Sequence, residues 1–187
     1  MTNRNSKRVC PAELSGSLDN SFRRFFQNPT KILCPYIQKG MTVLDLGCGP
    51  GFFTIEIAKM VGSEGKVIAA DLQEGMLNKV KNKIIGTGLE NRIELHKCEE
   101  TKIAVSQKVD FVLCFWMVHE VPDQNSLFSE LKSILKPEGK IYIIEPKFHV
   151  TKKSFYEMIN LIRKTGLDII ECPKVFYSRT VILKNNR

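Results

Sequence analysis

Short apolar runs alternate with longer amphipathic segments along most of the chain. The run MTVLDL (residues 41–46) predicts a buried strand, and FFTIEIAKMV (residues 52–61) has apolar side chains at helical spacing. Between the two runs, Gly47, Gly49 and Gly51 indicate a tight turn. The pattern therefore predicts a strand, a glycine turn and a helix.

The same alternation continues towards the C-terminus. Further strands are predicted at residues 66–70, 92–97, 109–115 and 140–145, and further helices at residues 74–85, 124–135 and 152–164. Two final strand-like runs, residues 168–176 and 178–184, are joined by a short connection that is typical of an antiparallel hairpin. Because strands that alternate with helices form crossover units, we expect a doubly wound, mainly parallel seven-stranded sheet with helices on both faces and that C-terminal hairpin.

The N-terminal part of the chain follows a different pattern. Residues 1–20 are polar and rich in turn formers, whereas residues 21–37 carry apolar side chains at partly helical spacing, namely Phe22, Phe25, Phe26, Ile32, Leu33 and Ile37. We predict that residues 1–40 form a helical lid or cap. A chain of 187 residues suits one domain, and we expect residues 1–187 to form a single one.

Composition and charge restrict the classes of function only partly. No apolar run approaches the ~18 residues of a membrane span, and the N-terminus lacks the apolar core of a secretory signal, so we expect a cytoplasmic protein. The net charge of +8 is compatible with nucleic acid or another anionic partner. Its basic residues are dispersed, however, which favours a solvated surface.

The six cysteines show no CxxC pair, and several lie in apolar segments where a thiol behaves as a small hydrophobe. They are Cys10, Cys34, Cys48, Cys98, Cys114 and Cys172. This pattern favours reduced core or loop thiols and predicts no metal site. A metal or metalloid site assembled from distant cysteines stays open as an alternative.

The predicted ends of the first two strands carry candidate chemistry. In an open α/β sheet, ligands bind beyond the carboxyl ends of the strands, where the glycine turn and Asp71 both fall. The turn permits close approach of a ligand to the backbone, and the carboxylate can accept hydrogen bonds from a ribose diol. This pairing favours an adenosine cofactor, but Phe52 stands where the dinucleotide fingerprint GxGxxG needs glycine, which disfavours NAD.

Five segments in this order carry a family resemblance. They read VLDLGCGPG, VIAADLQEGML, RIELHKCEE, VDFVLCFWMVHEVPD and LKPEGKIYIIEPK, within residues 41–146. Together they resemble class I S-adenosylmethionine-dependent methyltransferases, especially the small-molecule group that includes ubiquinone-biosynthesis and arsenite methyltransferases. The resemblance implies a Rossmann-like methyltransferase fold and an enzyme that converts S-adenosylmethionine to S-adenosylhomocysteine while methylating a small molecule.

The resemblance also assigns roles to residues at the first two strand ends. Gly47, Cys48 and Gly49 would surround the methionine portion of the cofactor, and Asp45 would orient its ammonium group through the loop or a water molecule. Asp71 would hold the ribose. Taken alone, Asp45 has a second interpretation as a carboxylate that caps a turn.

Further cofactor contacts follow from the same resemblance. Leu72 and Met76 would pack against adenine, and Phe115 would contact the methionine moiety at the end of the fourth strand. Glu99 stands where the family usually has an aspartate near the adenine amino group, and Cys98 would supply the preceding backbone. An ordinary core role for the apolar side chains and a turn-capping role for Glu99 remain alternatives.

Acceptor chemistry is predicted after the fourth strand. Methyl transfer to a protic acceptor calls for a base, and His119 and Glu120 are the candidate catalytic residues near the methyl end of the pocket. Glu145 and His149, after the fifth strand, are expected to face the same cleft. A backbone-satisfied histidine and a surface carboxylate are the alternatives for the first pair.

Two other functions stay open. One is an RNA or protein methyltransferase that uses the positive surface, and the other is a noncatalytic protein that binds S-adenosylmethionine. Nucleic-acid base methylation is disfavoured, because residues 114–120 read CFWMVHE where RNA and DNA methyltransferases of this class often carry NPPY or DPPY.

Overall fold

The structure is a computed structural model that describes residues 26–186. Its strands are β1 (Thr42–Leu46), β2 (Lys66–Asp71), β3 (Ile93–Lys97), β4 (Val109–Phe115), β5 (Leu135–Pro146), β6 (Leu167–Glu171) and β7 (Ser178–Asn185). Its α-helices are α1 (Pro29–Leu33), α2 (Thr54–Val61), α3 (Glu74–Ile84), α4 (Gln124–Ile134) and α5 (Lys152–Lys164), and a 3₁₀ turn spans Val118–Glu120.

All seven strands form one sheet in the order β3-β2-β1-β4-β5-β7-β6. Strands β1 to β5 are parallel to one another, whereas β7 runs antiparallel between β5 and β6. The chain builds outward from β1 to β3 and then crosses to β4, so the strand order reverses between β1 and β4. The predicted mainly parallel sheet with a C-terminal antiparallel hairpin is confirmed.

Helices cover both faces of the sheet. On one face, buried residues of α2 and α3 pack with Val43 of β1, and on the other, buried residues of α4 and α5 pack with Leu44 and Leu46. Successive side chains of β1 thus point into different cores, because a strand presents alternate residues to opposite faces. The two apolar layers pack against the sheet, and the carboxyl ends of the parallel strands β1 to β5 lie at the same edge of it.

The fifth strand begins earlier than the sequence predicted. Pro137 and Gly139, interpreted as breakers before a strand at residues 140–145, lie within β5. The ladder between β4 and β5 shifts register there, since Val109 pairs with Leu135 but Phe111 pairs with Lys140. The irregularity leaves residues 136–139 of β5 without a partner on β4, which accommodates a proline that cannot donate to the ladder.

The described part of the predicted N-terminal lid contributes to the core. Asn28 caps α1, because its Oδ1 accepts a hydrogen bond of 3.1 Å from the backbone N–H of Lys31. Leu33 and Ile37 are buried in the apolar layer on the α2 and α3 face. The rest of the lid prediction, including Phe22 and Phe25, lies outside the described residues.

No cysteine within residues 26–186 forms a disulfide bond. Cys48, Cys98 and Cys114 are buried, whereas Cys34 and Cys172 are exposed. In this part of the chain, no group of three or more His, Cys, Asp or Glu side chains is arranged to hold a metal ion. No helix among the described residues is long and apolar enough to cross a membrane.

Candidate functional site

A cavity of about 610 Å³ opens beyond the carboxyl ends of the parallel strands. Leu46 of β1, Asp71 of β2, Phe115 of β4 and Pro146 of β5 reach its wall, together with Cys98 directly after β3. Its volume falls within the ~300–1,000 Å³ that is usual for small-molecule and cofactor sites. The cavity lies at the strand-order reversal, where ligands bind in open α/β sheets.

The cavity brings together all twelve side chains or glycines predicted for the site. They are Asp45, Gly47, Cys48, Gly49, Asp71, Leu72, Met76, Cys98, Glu99, Phe115, His119 and Glu120. Because they come from four different strand ends, their convergence follows from the parallel sheet. Their individual roles remain predictions.

The glycine turn packs closely against Met117 at Gly47 and is open at Gly49. The N–H groups of Gly47 and Cys48 both donate to the carbonyl of Ala70, at 2.8 and 3.0 Å, which ties the turn to β2. At Gly47, with φ +70°, a Cβ would lie 2.9 Å from side-chain carbons of Met117. At Gly49, with φ +53°, a Cβ would meet no protein atom within 4 Å, so ligand atoms have room there.

Asp71 is buried and linked to the backbone on both sides. Its Oδ2 accepts from the N–H of Gly49 at 2.9 Å, and its Oδ1 accepts from the N–H of Gln73 at 2.8 Å. Burial raises the pKa of this carboxyl, while the backbone donors act to lower it. Each carboxylate oxygen has a further lone pair, so Asp71 can also accept from a ligand diol.

Asp45 is held from behind by the start of α2. Its side chain is buried, and its Oδ2 accepts a hydrogen bond of 2.6 Å from the Oγ1 of Thr54, the first residue of that helix. A carboxylate near a helix N-terminus is stabilised by the helix dipole. Asp45 therefore presents a positioned negative charge to the floor of the cavity.

The residues predicted to surround adenine lie beyond the ends of β2 and β3, on the cavity wall. Leu72 is 37% exposed at the cavity, whereas Met76 is buried. The backbone N–H of Cys98 donates to the carbonyl of Asp71 at 3.0 Å, and that of Glu99 donates to Lys102 at 3.0 Å. The backbone N–H groups of Cys98 and Glu99 are thus used within the protein, which leaves their side chains and carbonyls for ligand contacts.

His119 is anchored by a buried carboxylate. Its Nδ1 lies 2.5 Å from Oε2 of Glu145, whose side chain is 1% exposed, and Oε1 of Glu145 accepts from the N–H of Val118 at 3.0 Å. Glu145, which we expected to face the cleft, lies behind His119 and does not reach the cavity wall. His149 does reach it, and its Nδ1 is 3.4 Å from Nε2 of His119.

The pKa values of His119 and Glu120 are both raised from their ordinary values. Burial acts to lower the pKa of His119, but its hydrogen bond to Glu145 and the nearby carboxylate charges outweigh burial, so the pKa is raised. Burial raises the pKa of Glu120 to about 7, against the lowering effect of His119. Glu120 therefore titrates near neutral pH.

Sequence reasoning missed an aromatic wall formed by Trp116 and Phe148, whose rings meet edge to face at 5.2 Å. Trp116 has φ +58°, a rare conformation for a bulky residue. Its N–H donates to the carbonyl of Ile144 at 2.7 Å, and its indole Nε1–H donates to Oγ of Ser178 at 3.2 Å. No local pattern signals this, because the partners lie on β5 and β7.

A loop on the opposite wall was also missed. Glu130 of α4 accepts from the backbone N–H groups of Ile103 and Ala104, at 2.9 and 2.7 Å, and so holds residues 99–104 against the helix. Thr101 and Lys102 from this loop line the cavity. The carboxylate lies more than 25 residues away from its partners, so their spacing carries no signal.

The chain is similar in sequence to known methyltransferases. The chain is 33% identical over 133 residues to a demethylmenaquinone methyltransferase of Lactobacillus johnsonii, covering 71% of this chain and 52% of the relative. It is 27% identical over 113 residues to the ubiquinone/menaquinone biosynthesis C-methyltransferase UbiE of Escherichia coli, covering 60% and 45%. The chain thus spans about half the length of the curated relatives it matches.

Among solved structures, the fold is similar to that of a SAM-dependent methyltransferase from Aquifex aeolicus. The TM-score is 0.83 at 30% sequence identity, and the similarity covers 94% of this chain and 98% of the other. Residues 37–176 match the family described as a methyltransferase domain. With most of its length inside that match, this chain belongs to the methyltransferase domain family.

Proposed function

We propose that the protein transfers a methyl group from S-adenosylmethionine to a small-molecule acceptor. The observation that carries this proposal is the charge of the cavity. Seven carboxylates and one lysine line its described wall, although the chain as a whole carries a net charge of +8. The carboxylates are Asp45, Asp71, Glu99, Glu100, Glu120, Asp123 and Glu130, and the lysine is Lys102.

An acidic cavity suits this cofactor, which carries a cationic sulfonium and an ammonium group. Carboxylates in a partly enclosed site attract such a ligand more strongly than they would in bulk water. The same charge disfavours a polyanionic acceptor, because phosphates would meet carboxylates at the cavity. The alternative of an RNA substrate therefore has no support from the site, despite the basic composition.

The residues present fit the cofactor at both ends. We assign the methionine portion to Asp45 and the turn at Gly47, Cys48 and Gly49, because that turn is open next to a buried acid. We assign the ribose to Asp71, whose two oxygens each retain a lone pair. The exposed apolar surface of Leu72 lies beside Asp71 and suits the face of a purine, with Met76 and the Cys98–Glu99 segment around it.

S-adenosylmethionine, when bound, supplies an electrophilic methyl group. The protein then has to align the acceptor in line with the methyl group and exclude water, and no covalent intermediate on the enzyme is needed. Phe115 and Trp116 form an apolar wall near the proposed methyl end, while His119 and Glu120 add polar groups. These residues therefore enclose an acceptor that is partly apolar and has a proton to lose.

The names of the curated relatives support the acceptor class. Both relatives are described as methyltransferases of quinone biosynthesis, which act on small molecules. Because this chain spans about half of their length, we carry over the small-molecule class and leave the particular acceptor to experiment.

The proposal is tested by incubating the protein with S-adenosylmethionine labelled in its methyl group and the low-molecular-mass fraction of a cell extract. We expect a labelled small product together with S-adenosylhomocysteine. Label found only in added RNA or protein would contradict the small-molecule acceptor. Tight binding of S-adenosylhomocysteine without turnover in any fraction would identify a noncatalytic binding protein instead.

A matched pair of variants controls the assay. Asp71→Ala should weaken cofactor binding and lower turnover at limiting S-adenosylmethionine together, because Asp71 is the proposed ribose ligand. Asp168→Ala changes the same residue type on the exposed face of β6, away from the cavity, and should behave as wild type. Equal activity of both variants would contradict the cofactor assignment.

A further inference from the structure

Three titratable side chains lie in series at the proposed methyl end of the cavity, two of them on its wall and one behind it. Glu145 is buried at the end of β5, His119 is half-buried on the 3₁₀ turn, and His149 is exposed after β5. The Glu145 Oε2 to His119 Nδ1 distance is 2.5 Å, and the His119 Nε2 to His149 Nδ1 distance is 3.4 Å. The series runs from the protein interior to the surface and passes the cavity at His119.

The hydrogen bonds of Glu145 determine which nitrogen of His119 carries a proton. Oε1 of Glu145 is occupied by the N–H of Val118, so Oε2 is the oxygen left for the imidazole. An ionised carboxylate only accepts hydrogen bonds, and Nδ1 of neutral His119 must therefore be the protonated nitrogen. The other nitrogen, Nε2, then carries a lone pair on the side of His149.

We propose that Glu145, His119 and His149 form a proton relay that removes a proton from a protic methyl acceptor. In this relay His119 is the base, Glu145 is a positioning residue that fixes its tautomer, and His149 conducts the proton to solvent. The proposal rests on the proposed function, since it concerns the acceptor of that reaction.

The proton balance of the relay is simple. The X–H bond of the acceptor breaks, its electron pair stays on X to bond the incoming methyl carbon, and the proton binds Nε2 of His119. The methyl–sulfur bond of S-adenosylmethionine would break in the same displacement, with its electron pair left on the sulfur of S-adenosylhomocysteine. The resulting imidazolium is stabilised by the carboxylate of Glu145. Before the step His149 holds its proton on its own Nε2, so its Nδ1 can accept a proton. Once the methylated product leaves, His119 donates from Nε2 to Nδ1 of His149, and Nε2 of His149 releases its proton to water. The acceptor gains one methyl group and loses one proton.

The surrounding charges favour proton transfer from the acceptor to His119. Glu120, next to His119, and the buried Glu145 both stabilise the imidazolium form, and the raised pKa of His119 agrees with that arrangement. Asp71 acts on the same corner from β2, through its charge on Glu120. A base whose pKa lies near the working pH is the efficient one, because it is unprotonated before the step and protonated after it.

The relay is tested first without turnover, by nitrogen NMR of the histidine side chains. The chain has three histidines, and His96 lies on β3 outside the cavity, so it serves as an internal reference. In the wild-type protein we expect His119 to hold its proton on Nδ1 and to titrate above the ordinary histidine pKa. An Nε2-protonated His119 in the wild-type protein would overturn the proposal, whatever the variants do.

The informative variant is Glu145→Gln. Its amide oxygen stays on the N–H of Val118, so the amide NH₂ faces Nδ1 of His119 and moves the imidazole proton to Nε2. We expect the NMR spectrum to show this reversal, a lowered His119 pKa and an unchanged His96. S-adenosylhomocysteine affinity should stay within about twofold of the wild-type value, because Glu145 does not reach the cavity.

Turnover then links the tautomer to chemistry. With labelled S-adenosylmethionine and the same extract fraction, Glu145→Gln should lower the rate by roughly 10²–10⁴-fold, the usual contribution of a general base. The acidic limb of the pH–rate profile should also move to lower pH. A variant with reversed tautomer but unchanged rate and profile would overturn the relay while leaving the methyltransferase proposal intact.

His149→Gln tests the exit step separately. The base remains, but its proton must then leave to buffer, so we expect turnover to become dependent on buffer concentration when that of the wild-type protein is not. A rate independent of buffer in both proteins would remove His149 from the relay. Absence of labelled product with the wild-type protein would instead contradict the proposed function.

Discussion

The Oδ2 atom of Asp71 accepts a hydrogen bond of 2.9 Å from the backbone N–H of Gly49. This bond joins the end of β2 to the glycine turn after β1, the two features on which the proposed cofactor site depends. One carboxylate is therefore placed to contact a ligand and, at the same time, to hold the turn in shape. The first two predictions follow from this link.

Asp71→Ala should weaken S-adenosylhomocysteine binding by roughly tenfold to hundredfold, since hydrogen bonds to a charged group contribute about 1.5–3 kcal/mol. Asp71→Asn keeps one acceptor oxygen, but its NH₂ would face the backbone N–H of Gly49 or Gln73, so it should also lose affinity. Calorimetry measures the affinities, and thermal unfolding measures the stabilities. Unchanged affinity for Asp71→Ala would rule out the ribose assignment, and global unfolding of that variant would make Asp71 mainly a structural anchor.

Gly49→Ala should reduce cofactor affinity more than its effect on folding explains. Both Gly49 and Gly86 have positive φ and no protein atom within 4 Å of an added Cβ, but Gly49 lines the cavity and Gly86 does not. Each substitution should cost on the order of 1–2 kcal/mol of unfolding free energy. Similar affinities for the two variants would show that the open side of the turn is not occupied by ligand.

Glu120 should make the preference for S-adenosylmethionine over S-adenosylhomocysteine depend on pH. Its pKa is about 7, so the carboxylate is mostly neutral at pH 6 and mostly charged at pH 8. Only the first ligand carries a sulfonium charge, and its relative affinity should therefore rise with pH. We expect a gain on the order of 1 kcal/mol, or roughly fivefold.

Competition calorimetry at pH 6 and pH 8 measures that preference. The control is Glu120→Gln, which stays neutral over this range and should show a smaller pH dependence than the wild type, with the remainder due to the charge change of His119. An equal pH dependence in wild type and variant would place the titrating group elsewhere in the cavity.

Leu33→Ala should destabilise the protein by about 2–5 kcal/mol, because Leu33 is fully buried under the sheet and its removal leaves a cavity. Affinity for S-adenosylhomocysteine should be unchanged in the folded protein, since Leu33 does not line the site. Ile85→Ala, at a side chain 62% exposed, is the control and should be near neutral in chemical denaturation. A selective loss of binding in Leu33→Ala would assign α1 to the ligand site.

The order of strands and helices could be predicted from the sequence, because burial sets the spacing of apolar residues along each strand and helix. Strands buried on both faces read as apolar runs, such as FVLCF in β4, and helices such as α5 read as amphipathic repeats. α5 has the predicted bounds, while β5 begins earlier because a bulge admits Pro137. A bulge depends on the neighbouring strand, so no pattern within β5 predicts it.

The sequence by itself determined the family and which residues meet at the edge of the sheet, because the carboxyl ends of parallel strands converge wherever each strand ends. Gly49 and Asp71 were predictable on that ground. Only the tertiary structure decided that Glu145 stands behind His119 and that Trp116 is held by Ser178. Those pairs join different elements, and register and packing set the direction and distance of their side chains, which no local spacing of residues encodes.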